Sequence, residues 1–273
     1  MRTLDFADGQ VPVIGQGTWH MGEQASERAR EVNALRQGID LGMTLIDSAE
    51  MYADGGAETI VGQAIAGRRD EVFLVSKVYP HNASRKGIPA ACERSLKRMG
   101  VEQLDLYLLH WPGQHPLEET VEAFERLRSE GKIARWGVSN FDVADMQELN
   151  DPRCATNQVL YNPEERGIEF DLLPWSETQD LPLMAYCPIA QAGRLLEHPV
   201  FARIAEQRGS TAAQICLAWV VRQNGVVAIP KAVDPLHVKL NAAAGELQLS
   251  EEELRAIDQA CPAPRRKQRL AMV

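Results

Sequence analysis

Short apolar runs alternate along this chain with longer segments in which apolar residues return every three or four positions. The short runs read as strands covered on both faces, the longer segments as helices with one face buried. Glu27 to Leu41 reads as such a helix, with Ala29, Val32, Leu35 and Ile39 facing inward. Ser26 is its expected N-cap and Gly42 its stop. The strand "TLID" follows, then the helix "AETIVGQAIAG", the strand "VFLVSK" and the helix "IPAACERSLKRMG". Strand–helix pairs continue as "LDLYLLH" with "LEETVEAFERLRSEG", "ARWGVSN" with "VADMQELN", and "TNQVLY" with "IEFDLLPWSETQ". "PLMAYCP" is followed by two helical segments, "VFARIAEQRG" and "AAQICLAWVVRQNG", and "VVAIPK" by "PLHVKLNAAAG". Ser250 caps a last helix, "EEELRAIDQA".

At the front, Asp8-Gly9 between two short apolar segments predicts a β-hairpin, and "VPVIGQGTW" a strand running into a glycine-rich loop. About eight strand–helix repeats with no linker between them predict one (β/α)₈ barrel domain over residues 1–273 rather than a doubly wound sheet. A dinucleotide-binding sheet domain would want G-x-G-x-x-G after its first strand. "GQGTWH" carries the first two glycines, but position 20 is histidine.

Composition agrees. A chain of 273 residues suits a single barrel, which takes about 250. There are 29 basic against 38 acidic residues, a net charge of −9, so no nucleic-acid partner is expected. The cysteines (Cys92, Cys154, Cys187, Cys216 and Cys261) are odd in number and scattered, without a C-x-x-C. That points away from a disulfide framework or structural zinc and toward a reducing compartment. No secretory apolar segment and no run of about 18 apolar residues is present, so the expectation is a cytoplasmic protein with no membrane association.

In a barrel of this kind the chemistry gathers at the C-terminal strand ends. Those ends carry Gly17-Thr18-Trp19, Asp47 with Tyr52 just beyond, Lys77, His110-Trp111, Ser139-Asn140, Gln158, Tyr186 and Pro230-Lys231. Singly, each has an ordinary explanation. Loop aspartates cap turns, tyrosines pack, a strand-end lysine reaches water, and a histidine sits satisfied on a rim. Four ionisable residues at the ends of adjacent strands point instead to a site. Asp47 is a partner for Lys77, and a charge in an apolar barrel needs one. A tyrosine ordinarily titrates near pH ~10, and an adjacent ammonium favours phenolate, so Lys77 is expected to lower that value and make Tyr52 a better acid. With His110 donating a hydrogen bond, the group would protonate a carbonyl oxygen. No side chain delivers hydride to the carbon, so the chemistry requires a nicotinamide.

The chain resembles the aldo-keto reductases over nearly its whole length. The likeness lies in "GQGTW", "GMTLIDSAEMYADGGAE", "VFLVSKV", "LDLYLLHWP", "GKIARWGVSNF", "NQVLYN", "MAYCPIA" and "VVAIPKA". The resemblance implies Asp47, Tyr52, Lys77 and His110 as a catalytic tetrad, with Tyr52 the general acid. It implies NADPH as cofactor. Ser139, Asn140 and Gln158 would bind the carboxamide, and Tyr186 would stack on the nicotinamide. Gly17, Thr18 and Trp19 would border the cofactor, and the loop of Cys187, Ile189 and Gln191 would cross its pyrophosphate. Lys231, Ala232, His237 and Asn241 would lie toward the adenosine phosphate. There the chain departs from the family, whose members commonly read I-P-K-S-x-x-x-x-R-x-x-E-N. Ala232 replaces the serine, His237 the arginine and Leu240 the glutamate. An arginine fork grips a phosphate better than an imidazole does. The expected NADPH preference is therefore weakened, with NADH admitted as a second cofactor.

Trp19, His20, Tyr79, Trp111 and the tail from Arg265 to Val273 are the expected substrate rim. "GQGTWHMGE" and "AEMYADGGAE" are closest to bacterial members that reduce small 2-oxoaldehydes such as methylglyoxal. The expectation is a monomer reducing small carbonyl compounds. Two alternatives stand beside it. One is a barrel hydrolase or lyase with a metal on Asp47 and His110, although no second His/Glu cluster is visible. The other is a regulatory or sensor subunit that holds NADP(H) and turns over slowly.

Overall fold

The computed structural model describes residues 1–273. Strands β1 (Thr3–Phe6) and β2 (Gly9–Pro12) form the antiparallel hairpin, with Phe6 opposite Gly9. Its turn is Ala7-Asp8 rather than Asp8-Gly9, because that register already places Gly9 in β2. Ala7 takes the left-handed φ of 52° that such a tight turn demands.

Eight parallel strands follow in chain order, each paired with the next. They are β3 (Gln16–Gly17), β4 (Leu45–Asp47), β5 (Phe73–Val78) and β6 (Leu104–Leu109). Then come β7 (Ile133–Ser139), β8 (Cys154–Leu160), β9 (Leu183–Tyr186) and β10 (Val226–Ala228). Ile14 bridges Ala228, and the N–H groups of Gly15 and Gly17 donate to the carbonyls of Ala228 (2.8 Å) and Pro230 (3.0 Å), so the sheet closes into the predicted barrel. The seam explains the glycines: a Cβ on Gly17 would stand 2.7 Å from the carbonyl oxygen of Ile229. The predicted strand "VPVIGQGTW" is thus divided between hairpin and seam.

The helices are α1 (Arg28–Asp40), α2 (Gly56–Ile65), α3 (Gly87–Met99), α4 (Leu117–Ser129), α5 (Val143–Leu149) and α6 (Leu172–Thr178). They continue with α7 (Arg194–Glu197), α8 (Pro199–Arg208), α9 (Ala212–Val220), α10 (Pro235–Ala244) and α11 (Glu251–Ala260). None is long and apolar enough to cross a membrane. Helix α1 differs from expectation at its start. Glu27, not Ser26, is the N-cap, without a side-chain cap bond, and Ala29 is exposed. The buried face begins at Glu31, whose carboxylate accepts the N–H of Gly22 at 3.0 Å, and continues through Val32, Leu35 and Ile39. Gly42 ends the segment with φ 88°, as expected. The helix expected over 168–179 is a 3₁₀ turn, Gly167–Glu169, followed by α6. Pro174 sets that break, because a proline fits only the first turn of a helix.

Inside the barrel, Leu45, Val75, Leu106, Leu108, Ala155, Met184, Val227 and Ile229 form one apolar cluster. Phe6 and Val11 of the hairpin belong to it and close the end of the barrel opposite the strand C-termini. The larger core lies between strands and helices.

Helix α11 offers a stability test. Ser250 and Glu253 form a capping box, and the Glu253 carboxylate takes two 2.6 Å hydrogen bonds from Arg208 of α8. Arg208 first, and the cap after it, hold the Glu253 carboxyl down at about 2. A depressed folded-state pKa contributes stability that is complete above the ordinary 4.5 and lost as pH falls through about 2. Glu253→Gln is therefore expected to cost about 1 kcal/mol at pH ~7. Thermal melts in acid should show the gap from wild type narrowing; a gap independent of pH would contradict the ion pair.

Candidate active site

The period of two along each strand places the site. Leu45, Val75, Leu108 and Met184 point into the barrel, so two residues on do Asp47, Lys77, His110 and Tyr186, at the open end. Lys77 is fully buried, and its three N–H donors are all used. They reach Asp47 Oδ2 (2.7 Å), the Ser48 carbonyl (2.8 Å) and the Tyr52 hydroxyl (3.1 Å). Asp47 Oδ1 accepts from Gln158 Nε2 at 2.7 Å. A continuous network thus runs Gln158, Asp47, Lys77, Tyr52. Burial pulls the Lys77 ammonium pKa down, and the charge and hydrogen bond of Asp47 oppose this.

Tyr52 corrects an expectation. Its pKa lies well above the ordinary phenol value, not below it. Burial is the first cause, and the Asp47 charge adds to it. Desolvating a phenolate here outweighs the nearby ammonium, so Tyr52 is a neutral phenol whose oxygen accepts from Lys77. Its own O–H is left for the cleft. His110 stands edge-on to Tyr52, ring centroids 5.7 Å apart. Burial first, and Lys77 second, hold its pKa well below the ordinary 6.5, so the imidazole is neutral. Its Nδ1 is buried without a partner. A buried lone pair left unmatched costs less than a buried N–H, so the proton belongs on Nε2.

A cleft of about 560 Å³ opens over this network. Of the residues expected at the site, Gly17, Thr18, Trp19, His20, Asp47, Tyr52, His110, Trp111, Ser139, Asn140, Gln158, Tyr186, Cys187, Ile189, Gln191 and Lys231 line it. Lys77 lies behind Tyr52 and does not. Tyr79 does not either: Glu50 holds its backbone N–H at 2.8 Å, and its ring stands edge-on to Trp111 at 5.7 Å, supporting that residue. Ala232, His237 and Asn241 also lie off this cleft; His237 is exposed on α10 and Asn241 is buried in it. Met51, Pro188, Ala192 and Ile229 join the lining unpredicted. From the tail, Met272 and Val273 reach it, the tail being tied across the mouth by Lys267 to Asp171 (3.2 Å) and Asp142 (3.7 Å).

Amide and hydroxyl groups cluster on one wall. Tyr186 donates to Asn140 Oδ1 (2.8 Å), and Asn140 Nδ2 donates to Ser139 Oγ and the His110 carbonyl, each at 3.1 Å. Of the eleven non-glycine residues with left-handed φ, eight lie on loops at this mouth: His20, Ala53, Asp54, Asn140, Cys187, Ala190, Gln191 and Ala192. Such conformations cost on the order of 1 kcal/mol or more each, so strain is concentrated where the chain must present these groups. No group of three or more His, Cys, Asp or Glu side chains is arranged to hold a metal ion.

Comparison with known proteins gives one family. Residues 13–261 match the profile described as Aldo/keto reductase family. The chain is 57% identical to methylglyoxal reductase YeaE of Escherichia coli (strain K12), over 100% of this chain and 99% of that protein. It is 34% identical to glyoxal reductase of Bacillus subtilis (strain 168), over 91% and 88% respectively. Among solved structures, an aldo/keto reductase from Klebsiella pneumoniae in complex with NADP and acetate is 57% identical and superposes with a TM-score of 0.98 over 99% of both chains.

Proposed function

This chain belongs to the aldo/keto reductase family, and from that premise we propose that it uses NADPH to reduce small aldehydes, ketones and 2-oxoaldehydes such as methylglyoxal to alcohols. One observation carries the reading: the Lys77 ammonium is spent on Asp47, Ser48 and the Tyr52 oxygen, which leaves the Tyr52 proton free to face a carbonyl oxygen.

The donor set fits a nicotinamide. Ser139, Asn140 and Gln158 offer both donors and acceptors to a carboxamide, and Tyr186, hydrogen-bonded to Asn140, brings an aromatic ring beside them. Ser139, Asn140 and Gln158 would hold the carboxamide on two edges and so orient the ring in the cleft. When bound, the nicotinamide supplies hydride to the carbonyl carbon. The protein's part is the oxygen. Tyr52 O–H and His110 Nε2–H converge on the cleft as two donors, polarising the carbonyl. As the oxygen gains alkoxide character it becomes far more basic than a phenolate, and the Tyr52 proton moves to it. Lys77 then faces a phenolate at hydrogen-bond distance, and Asp47 keeps the lysine charged. The raised pKa of Tyr52 serves this step, since the proton stays in place until the substrate oxygen demands it.

The rim supports small substrates. Trp19, His20, Trp111, Met272 and Val273 line a cleft of about 560 Å³ and give it a largely apolar rim. The names of the Escherichia coli and Bacillus subtilis relatives point to 2-oxoaldehydes. The test is NADPH oxidation, followed by the absorbance of the reduced nicotinamide, with methylglyoxal and a panel of small aldehydes, and repeated with NADH. Turnover with NADPH is the expected result. Tight NADPH binding without turnover on any carbonyl would replace this reading with that of a cofactor-binding sensor.

A further inference from the structure

His237 stands where members of this family commonly carry an arginine, and it lies exposed on α10. An imidazole gives a phosphate no charged fork. The fold brings an arginine from a different helix. The main cleft runs from Tyr186 along the end of β10, where Ile229, Pro230 and Lys231 line it, and a dinucleotide held at Tyr186 would extend along that edge. At Lys231 a second cavity of about 420 Å³ begins, sharing Lys231 and His20 with the main cleft. Its far wall is the start of α1, with Glu27, Arg30 and Glu31.

The acids of this cavity are engaged locally. Glu23 meets His20 at 2.7 Å, Glu31 accepts the Gly22 N–H at 3.0 Å, and Glu27 meets Arg30 Nη1 at 3.3 Å. The other terminal nitrogen of Arg30, Nη2, stands 3.9 Å from Asp234 Oδ2, too far for a hydrogen bond. Lys231 and Arg30 thus flank one cavity from two elements, with the Arg30 fork only partly used. Asp234 is the counterweight. Its carboxylate caps α10 by accepting the N–H groups of Leu236 (2.8 Å) and His237 (3.3 Å), donors an incoming phosphate would otherwise meet.

We propose that Arg30 reads the 2′-phosphate of NADPH, from α1 rather than α10, in competition with Asp234. The assignment rests on the cofactor reading above. A phosphate gains Arg30 by drawing it from Asp234, and then lies near that carboxylate. The preference for NADPH over NADH is accordingly a narrow difference between the two cations, Lys231 and Arg30, and the carboxylates around them, Glu23, Glu27, Glu31 and Asp234.

The test is binding, which needs no chemistry. NADPH, NADH, 2′,5′-ADP and 5′-AMP are titrated against wild type, Arg30→Ala and Asp234→Asn by quenching of tryptophan fluorescence, with nucleotide fragments in competition. Arg30→Ala is expected to weaken NADPH and 2′,5′-ADP on the order of tenfold, the size of one partly solvated charge-assisted hydrogen bond, and to leave NADH and 5′-AMP near wild type. Asp234→Asn keeps a capping residue, and should tighten NADPH a few-fold. Equal weakening of both cofactors, or no change in either, would overturn the assignment. A wild-type protein that binds NADPH with this discrimination but reduces no carbonyl would leave it standing while removing the reductase reading. Failure to bind either cofactor would end both.

Discussion

Tyr52→Phe is expected to reduce kcat for aldehyde reduction on the order of 10³-fold and to leave NADPH affinity near that of wild type. The substitution removes one hydroxyl. The ring keeps its edge-on packing against His110, and Ser139, Asn140 and Gln158, the groups proposed to bind the cofactor, do not touch the lost atom. Lys77 loses one of three acceptors but keeps Asp47 and the Ser48 carbonyl. Folding should therefore suffer little, on the order of 1 kcal/mol. Single-turnover rates with saturating NADPH, set beside fluorescence titration of the cofactor, separate the two effects. Turnover near the wild-type level would remove Tyr52 as the acid. Equal loss of binding and rate would make it a packing residue.

The second large effect is on stability. Lys77→Met leaves the Asp47 carboxylate in the barrel with Gln158 alone for company. Breaking a buried pair from one side costs about 3–5 kcal/mol, because the remaining charge is uncompensated. Removing both charges costs less, since a well-packed neutral pair is tolerated there. The double variant Lys77→Met/Asp47→Asn is thus expected to be more stable than Lys77→Met alone, while both lose reductase activity. Urea unfolding of the two single variants and the double measures the coupling. Additive losses would mean that the two side chains do not depend on one another.

The two predictions draw on residues that the sequence exposes well. Asp47, Lys77 and His110 end strongly apolar strands, and alternation alone puts them on the inward face. Ile229 obeys the same alternation two residues beyond Val227, and that rule would have found it as a lining residue. Met51, Pro188 and Ala192 give no such signal, because loop backbone and not strand period brings them to the cleft. Tyr79 misled for the converse reason. An aromatic just past a strand end reads as rim, but the buried Glu50 fixes its backbone and turns it behind Trp111. The direction of the Tyr52 shift was also hidden. Charge neighbours are visible in a sequence, whereas the depth that makes desolvation dominate is not. The start of α1 falls one residue later than the capping residue Ser26 suggests, with Glu27 as N-cap and Glu31 on the buried face holding the Gly22 N–H.

The hairpin that fills the base of the barrel has a bearing on traffic. With Phe6 and Val11 packed into the inner cluster, the hairpin closes the base of the barrel, and the cleft opens at the strand C-termini. Ser139 and Gln158 are each 1% exposed, at the back of the cleft, whereas His20 and Trp111 stand at its front. Whatever pairs with the back wall must arrive before anything that sits at the front, and must depart after it. On the proposed reading the dinucleotide is first in and last out, and the carbonyl compound and its alcohol pass in between. A stopper of two residues at the far end thus imposes a queue at the near one.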